Sequence, residues 1–301
     1  MERDNFIIPV FCLVNEIYYA IPPTQNLRRR GFPPALGDDE VITMEICGEY
    51  FGFHKDKDLF DYFHKHYRHF FPKLSEWTSF VRQAANLLTL KEIIQARITQ
   101  MSGQTDDECQ IIDTMPLPVC TYTRAARDRC FKLEADYGYC AAKEMKYYGF
   151  KLGLRISQIG MIIHYSLLPA RPHDSQLLDD LIAGFSGIVI GDKAFIDGWR
   201  QPILARKRHV ELVTGSRKNM THQLPNPLQR LATRWRKKVE TVGSHLTERF
   251  NIAKIRVHDL WHYQNRIVRK VLAHTICVFI NLQLGRPPLH LHDLVVSKVA
   301  H

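Results

Sequence analysis

GIVIGDKAFI, residues 187 to 196, is the stretch on which the reading of this chain turns. Ile188, Val189 and Ile190 are adjacent and β-branched, which suits a short strand buried on both faces. Gly191 closes the run and Asp192 follows at once, so a strand that must be buried delivers a carboxylate at its end. On its own the pattern also describes an ordinary strand end with an Asp turn. Its weight comes from a second stretch of the same kind, Cys109 to Val119, CQIIDTMPLPV, in which Asp113 comes directly after an Ile-Ile pair.

A helix completes the set. In LATRWRKKVETVGSHLTERF, residues 231 to 250, the apolar residues Leu231, Trp235, Val239, Val242 and Leu246 recur at helical spacing. Glu240 lies one position from that stripe, and Arg236 lies four residues before Glu240, so both share the edge of the buried face. The two Asp and the Glu are 79 and 48 residues apart. Asp113, Asp192 and Glu240 are the donor set of a two-metal phosphoryl-transfer site. Hard divalent cations, Mg2+ or Mn2+, take carboxylate oxygens, and two such ions activate the attacking oxygen and steady the leaving one.

Several phrases, in order along nearly the whole chain, resemble bacterial DDE transposases of insertion-sequence family 982. They are RRRGFPPALGDDEVITMEICGEYFG (28 to 52), IIDTMPLPVC (111 to 120), EADYGYCAAKEMKYYGFKLGL (134 to 154), GDKAFI (191 to 196), RKNM (217 to 220), VETVGSHLTERF (239 to 250) and VLAHTICVFINL (271 to 282). The resemblance implies an RNase H-like catalytic domain and makes Asp113, Asp192 and Glu240 both the catalytic triad and the metal ligands. It also implies cut-and-join chemistry on the terminal inverted repeats of an insertion sequence and on target DNA. In the wider DDE pattern a Tyr often stands three residues before the Arg and a Lys about two turns after the Glu; here those positions hold Thr233 and Thr247, so these accessory roles do not carry over.

The expected fold class is α/β: an RNase H-like mixed sheet with flanking helices over residues 109–284, preceded by an all-helical region over 1–101 and followed by a tail, 285–301. At 301 residues, 45% apolar and 24% charged, the chain has ordinary globular composition. The apolar run FIIPVFCLV near the start carries acids on its amino-terminal side and is too short to span a bilayer, so no membrane association and a cytoplasmic, nucleoid-associated location are expected. Seven cysteines without a CxxC pair suggest reduced thiols rather than a disulfide framework or a zinc site.

In the first hundred residues, Asp38 and Asp39 are expected to cap a helix to about Tyr50, with Gly52 breaking it and a second helix from Asp56 to about Phe71. The pair reads as a helix-turn-helix with Lys55, Lys57, His64, Lys65, His66, Arg68 and His69 available to DNA, or equally as part of a helical bundle. Ser75 to Thr99 reads as a third helix. Beyond the polar linker Ser102 to Glu108, strands are expected at Tyr147–Ile156, Met161–Leu168 and His209–Thr214. A helix is expected from Ser175, with Asp174 most simply its cap or else a substrate contact, and a long helix at His258–Leu284 packed against the sheet.

Charge supplies a second, independent clue. Between Arg200 and Lys238 there are eleven Lys and Arg and one acid, Glu211, which matches the whole chain's net charge of +10. A basic strip joining one acidic strand to the acidic helix suits a polyanion laid across carboxylates. Lys193, Arg217, Lys218, Arg234, Arg236, Lys237 and Lys238 are the candidate DNA contacts, and Trp199 and Trp235 are candidates for stacking on an unpaired base, Trp235 also fitting the core. Asp113 would bridge two Mg2+ ions, with Asp192 and Glu240 holding one each, and pairing two element ends would take at least a homodimer. The alternatives are an RNase H-like nuclease that cuts without joining, and a DNA-binding relic that has lost catalysis.

Overall fold

Two twelve-residue strands, Cys109–Cys120 and Met145–Ile156, run antiparallel and form the axis of a six-stranded mixed sheet. The structure is a computed structural model that describes residues 3–22, 34–195, 200–214 and 226–294. In chain order its main elements are α1 (Arg3–Tyr19), α2 (Asp38–Phe51), α3 (Asp56–His66), α4 (Trp77–Ala85), α5 (Leu88–Met101), β1 (Cys109–Cys120), β2 (Asp136–Cys140), β3 (Met145–Ile156), β4 (Ile162–Pro169), α6 (Ser175–Leu181), β5 (Gly187–Gly191), α7 (Arg200–Arg208), β6 (Val210–Thr214), α8 (Asn226–Ser244) and α9 (Leu260–Gln283). They fall into two units: Met1–Met101, Leu246–Ile252 and Trp261–His301 form one, and Ser102–His245 with Ala253–Leu260 the other. Among the described residues no helix is long and apolar enough to cross a membrane.

The first unit is helical. Its central helix α2 is buried from Val41 to Tyr50. The cap of α2 is Gly37 rather than the expected Asp38 and Asp39: the Gly37 N–H donates to the Glu40 carboxylate at 2.6 Å, while Asp38 and Asp39 accept from Gln83 and Asn15, both at 2.7 Å. Gly52 ends the helix in the left-handed region, φ 90°, as a residue without Cβ can. The segment expected as a single helix from Ser75 to Thr99 is two, α4 and α5. The break is held from far along the chain: the Asn265 amide donates to the Ala84 and Ala85 carbonyls, and the Trp261 indole to Ala85, satisfying groups that a helix end leaves open. The second expected helix, α3, stops at His66 instead of Phe71, with Tyr67 as its C-cap.

Buried charge organises this unit. Glu45 and Glu49 on α2, Lys91 on α5 and Arg269 and Lys270 on α9 are all almost without solvent exposure. Arg269 Nε reaches Glu49 at 2.6 Å, Lys270 Nζ reaches it at 2.7 Å, and Lys91 Nζ lies 2.5 Å from Glu45. These pairs explain why α9 lies with the first unit's helices and not against the sheet as expected: its buried cations need carboxylates, and α2 supplies them. Burial alone would raise the Glu49 carboxyl, but Arg269 and Lys270 together hold it well below the usual range. Its ion pairs therefore stabilise the fold above the ordinary carboxylate pKa, and that stability is lost as pH falls through the depressed folded value. Glu49→Ala, which strands two buried cations, is expected to destabilise the protein by about 3–5 kcal/mol in denaturant unfolding at pH 7.

In the second unit β1 lies between β3 and β5. β3 pairs with β1 along one edge, and β2 and β4 share its other edge, β2 opposite Met145–Gly149 and β4 opposite Phe150–Ile156. β5 joins β1 in parallel, and β6 joins β5 in parallel. β1 continues through Pro116 and Pro118, which cannot donate to a ladder. They fit because β5 pairs only with Cys109–Ile111, leaving β3 as the neighbour beyond. α6 packs on one face, so closely that a Cβ on Gly153 would meet Leu181 at 3.0 Å; here Ile112, Leu177, Leu181, Val189, Phe195 and Leu204 form the core. On the opposite face Cys109, Ile190 and Val213 pack with Trp235 of α8, which gives Trp235 the core role.

Candidate functional site

The acids are brought together by register. Ile111 of β1 is paired with Ile190 of β5, and two residues further along each chain come Asp113 and Asp192. Side chains alternate along a strand, so both acids lie on the same side of the sheet as Ile111 and Ile190, the side covered by α8. Asp192 leaves the strand directly after Gly191, where the Phe195 N–H donates to its carbonyl at 3.0 Å and begins the short 3-10 turn Lys193–Phe195.

α8 presents its Arg and Glu to this edge. Arg236 Nη1 is 3.2 Å from Asp192 Oδ1, and Arg236 Nε is 3.6 Å from Glu240 Oε1. Val239 and Val242 of the helix are buried and Glu240 is exposed beside them; Leu246, also buried, lies in the turn after the helix, in the first unit. Glu240 thus reaches Asp192 through the Arg236 guanidinium. Among the described residues no three His, Cys, Asp or Glu side chains converge closely enough to form a metal cluster, so the expected trio is assembled only at its Asp113–Asp192 side.

Asp113 bears the electrostatic load. Its carboxyl is pushed up to about 6, first by burial, then by the neighbouring Asp192 and Asp174; the Thr114 N–H and the Arg236 cation act in the opposite direction. Asp174 is a member of this site that the sequence pattern had cast as a helix cap. It makes no side-chain cap bond to α6; its carboxylate instead accepts from Thr114 Oγ1 at 2.9 Å and from Lys151 Nζ at 2.6 Å, tying the β4–α6 loop to β1 and β3. Lys151 also donates to the Pro172 carbonyl at 2.6 Å. The signal available in the sequence was the charged loop ARPHD itself; Lys151, spaced among strand residues, carried none.

The basic candidates divide. Arg234, Arg236 and Lys237 are exposed on α8. Lys238 instead donates to the Gln158 carbonyl in the β3–β4 turn, and burial followed by the proximity of Arg234 pulls its ammonium pKa down. Lys193 directly follows Asp192, and Arg217, Lys218 and Trp199 lie outside the described residues. In the first unit Lys55 and Lys57 pair with Asp58 and Asp61, at 3.8 and 2.7 Å, and Lys65, His66, Arg68 and His69 remain exposed just beyond.

Two acids at the ends of adjoining strands, with an Arg–Glu helix over the same edge of a mixed sheet, set hard oxygen donors beside exposed cations. A family model described as Transposase DDE domain matches residues 102–260. That is more than half of the chain, and the chain belongs to this family. Membership makes it a nucleic-acid-processing enzyme with DNA as its partner. No curated protein and no solved structure matches it.

The raised Asp113 carboxyl has a thermodynamic sign. Its folded pKa lies above its unfolded value, so the folded state holds the proton more tightly and stability falls as pH rises from about 4 to 6. Asp113→Asn removes that cost. It is expected to stabilise the metal-free protein by about 2 kcal/mol at pH 7.5, with the gain shrinking as pH approaches 4, measured as the difference in unfolding free energy from the parent chain.

Proposed function

We propose that this chain is an insertion-sequence transposase of the family-982 kind, which cleaves element ends and joins the freed 3′-hydroxyl to target DNA. The observation that carries the reading is the placement of Asp113 opposite Asp192, with the Arg236–Glu240 helix over the same edge. The sheet order β4-β3-β1-β5-β6, antiparallel among the first three strands and parallel from β1 onward, with α6 between β4 and β5, supports an RNase H-like catalytic fold.

The donor chemistry fits divalent ions. Asp113 and Asp192 are hard oxygen donors, and the Asp113 carboxyl is raised first by burial and then by the nearby acids Asp192 and Asp174. Asp113, Asp192 and Glu240 would hold Mg2+ or Mn2+, two ions supplying activation of the attacking oxygen and neutralisation of the leaving one. Asp113 must shed its proton to bind. Arg236 lies between the Asp192 and Glu240 carboxylates, and with these occupied by divalent ions its guanidinium would be available to a DNA phosphate. Arg234, Lys237 and Lys193 extend this contact along the backbone, together with Arg217 and Lys218. Water first opens a phosphodiester at the element end and releases a 3′-hydroxyl; that hydroxyl then attacks a target phosphodiester at the same site, so no covalent protein intermediate forms.

The helical first unit, residues 1–101 above all, serves end recognition through the basic residues that follow α3, and two copies of the chain pair the two ends. The segment from residue 285, read from the sequence as a tail, is anchored to the helical unit: Leu291 and Leu294 are buried, and the Tyr50 hydroxyl donates to the Leu291 carbonyl. The enzyme works in the bacterial cytoplasm on nucleoid DNA.

Purified protein incubated with DNA carrying the element ends is expected to nick them and form joined products with Mg2+ but not with Ca2+. Asp192→Ala is expected to bind the same DNA and yield neither product; full cleavage by this variant would reject the site. Cleavage without joined products would favour a simple nuclease. Arg234→Ala and Lys237→Ala are each expected to lower the slope of log affinity against log salt on duplex DNA by about 0.9, read from titrations between low and physiological salt.

A further inference from the structure

β2 is an edge strand with its aromatic residues turned outward. Tyr137 and Tyr139 are 44% and 59% exposed, while Gly138 between them faces inward toward Tyr147 and Ala170. Cross-strand pairing puts Tyr148 beside Tyr137 and Lys146 beside Tyr139, so these four side chains share one face of the sheet. Tyr122, 47% exposed on the 3-10 turn Tyr122–Arg127, meets Tyr137 edge-on at 5.5 Å between ring centres, and Tyr137 in turn rests on Tyr148 at 5.0 Å. Tyr148 is buried and anchored, its hydroxyl donating to the Phe131 carbonyl at 3.1 Å.

An aromatic pair across two strands stabilises a hairpin, and that accounts for Tyr137 on Tyr148. It does not account for Tyr139, whose ring is the most exposed of the three, or for placing Tyr122 against the same patch. Nor does it account for the charge around them. Arg124, Arg127, Arg129, Lys132, Lys143 and Lys146 are all exposed, and none forms an ion pair among the described residues. Of the acids of the region, Asp128 accepts the Phe131 N–H at 3.1 Å and Asp136 lies 3.8 Å from Arg171, while Glu134 is half-buried and Glu144 exposed, so the six cations outnumber the four acids. Exposed rings on a rigid base, bordered by unpaired cations, are what a strand of unpaired bases requires, the rings for the base faces and the cations for the phosphates.

We propose that β2 and the Tyr122–Arg127 turn form a stacking platform for single-stranded DNA, with Tyr122, Tyr137 and Tyr139 taking bases and Lys146 and Arg124 the backbone. This deepens the transposase reading, on which it rests: strand cleavage near the end of an element frees a strand that has to be kept in place until it is joined. The platform belongs to the same unit as the acidic site, at the far end of β1 from Asp113, since β2 pairs with the part of β3 that faces Pro118–Cys120.

The test uses the full-length protein in EDTA, so that nothing is cut, and fluorescence anisotropy on three probes: a labelled oligothymidylate, a duplex of equal length, and an oligomer of abasic sites. Tyr139→Ala is expected to weaken oligothymidylate binding roughly tenfold, as for loss of one stacked base, and to leave the duplex and abasic affinities unchanged. Tyr139→Phe, which keeps the ring, is expected to bind oligothymidylate as the parent does. Because Tyr139 packs outward its replacement spares the core, and Tyr122→Ala serves as a second variant with the same expected pattern. Unchanged oligothymidylate affinity in both variants, or equal loss on all three probes, would overturn the platform. Cleavage with Mg2+ is scored separately on the same proteins: failure of the parent to cut rejects the transposase reading, while selective loss of oligothymidylate binding stands without it.

Discussion

Three parallel residue pairs between β1 and β5 fix the geometry on which the site depends. Cys109, Gln110 and Ile111 face Ile188, Val189 and Ile190, and this short ladder places Asp113 and Asp192 side by side as each strand runs on. A slip of one residue would turn one acid to the other face. The slip is prevented by packing on both faces at once: Cys109 and Ile190 meet Val213 and Trp235 under α8, while Ile112 and Val189 enter the core beneath α6. A strand buried on both faces has no tolerated alternative register, so the hydrophobic core positions the carboxylates.

The two units treat buried carboxylates in opposite ways. Glu49 is fully enclosed but has Arg269 and Lys270 against it, and its pKa falls. Asp113 is half-buried and has Asp192 and Asp174 as neighbours; burial and these acids outweigh the Thr114 N–H and Arg236, and its pKa rises. The desolvation cost is common to both; the neighbours decide the sign. A group whose charge is matched within the protein supports the fold, whereas one whose charge is left unmatched costs it stability.

Much of the second unit was legible because its signals are local. Ile111-Ile112-Asp113 and Ile188–Asp192 read as buried strands ending in acids because parallel strands covered on both faces show unbroken apolar runs. α8 was legible from its period, which follows from burial of one stripe at Trp235, Val239 and Val242. What could not be read depended on distant partners. The break between α4 and α5 is completed by Asn265 and Trp261, and the placement of α9 is decided by which carboxylates meet Arg269 and Lys270. β2 escaped notice because its pattern inverts the usual one: its tyrosines face outward and Asp136, Gly138 and Cys140 face inward. Asp174 sat where a cap belongs, before Ser175, and only the approach of Lys151 from β3 gives its carboxylate a different use.

The same distinction between matched and unmatched charge separates the fixed from the exchangeable parts of the site. Lys151 and Asp174 meet at 2.6 Å with less than a fifth of either side chain exposed, and Thr114 adds a third attachment, so the loop beside β1 is held in place. Arg236 pairs with Asp192 and Glu240 at longer distances, and more than half of the Arg236 and Glu240 side chains is exposed. Exposed ion pairs of this kind contribute about 1 kcal/mol or less. A divalent cation or a phosphate competes with such a pair at little cost, whereas it would have to break a nearly buried one at Asp174. The carboxylates on the sheet therefore form the rigid side of the site, and Arg236 links them to Glu240 through exposed contacts, on a helix that is itself seated by Trp235, Val239 and Val242.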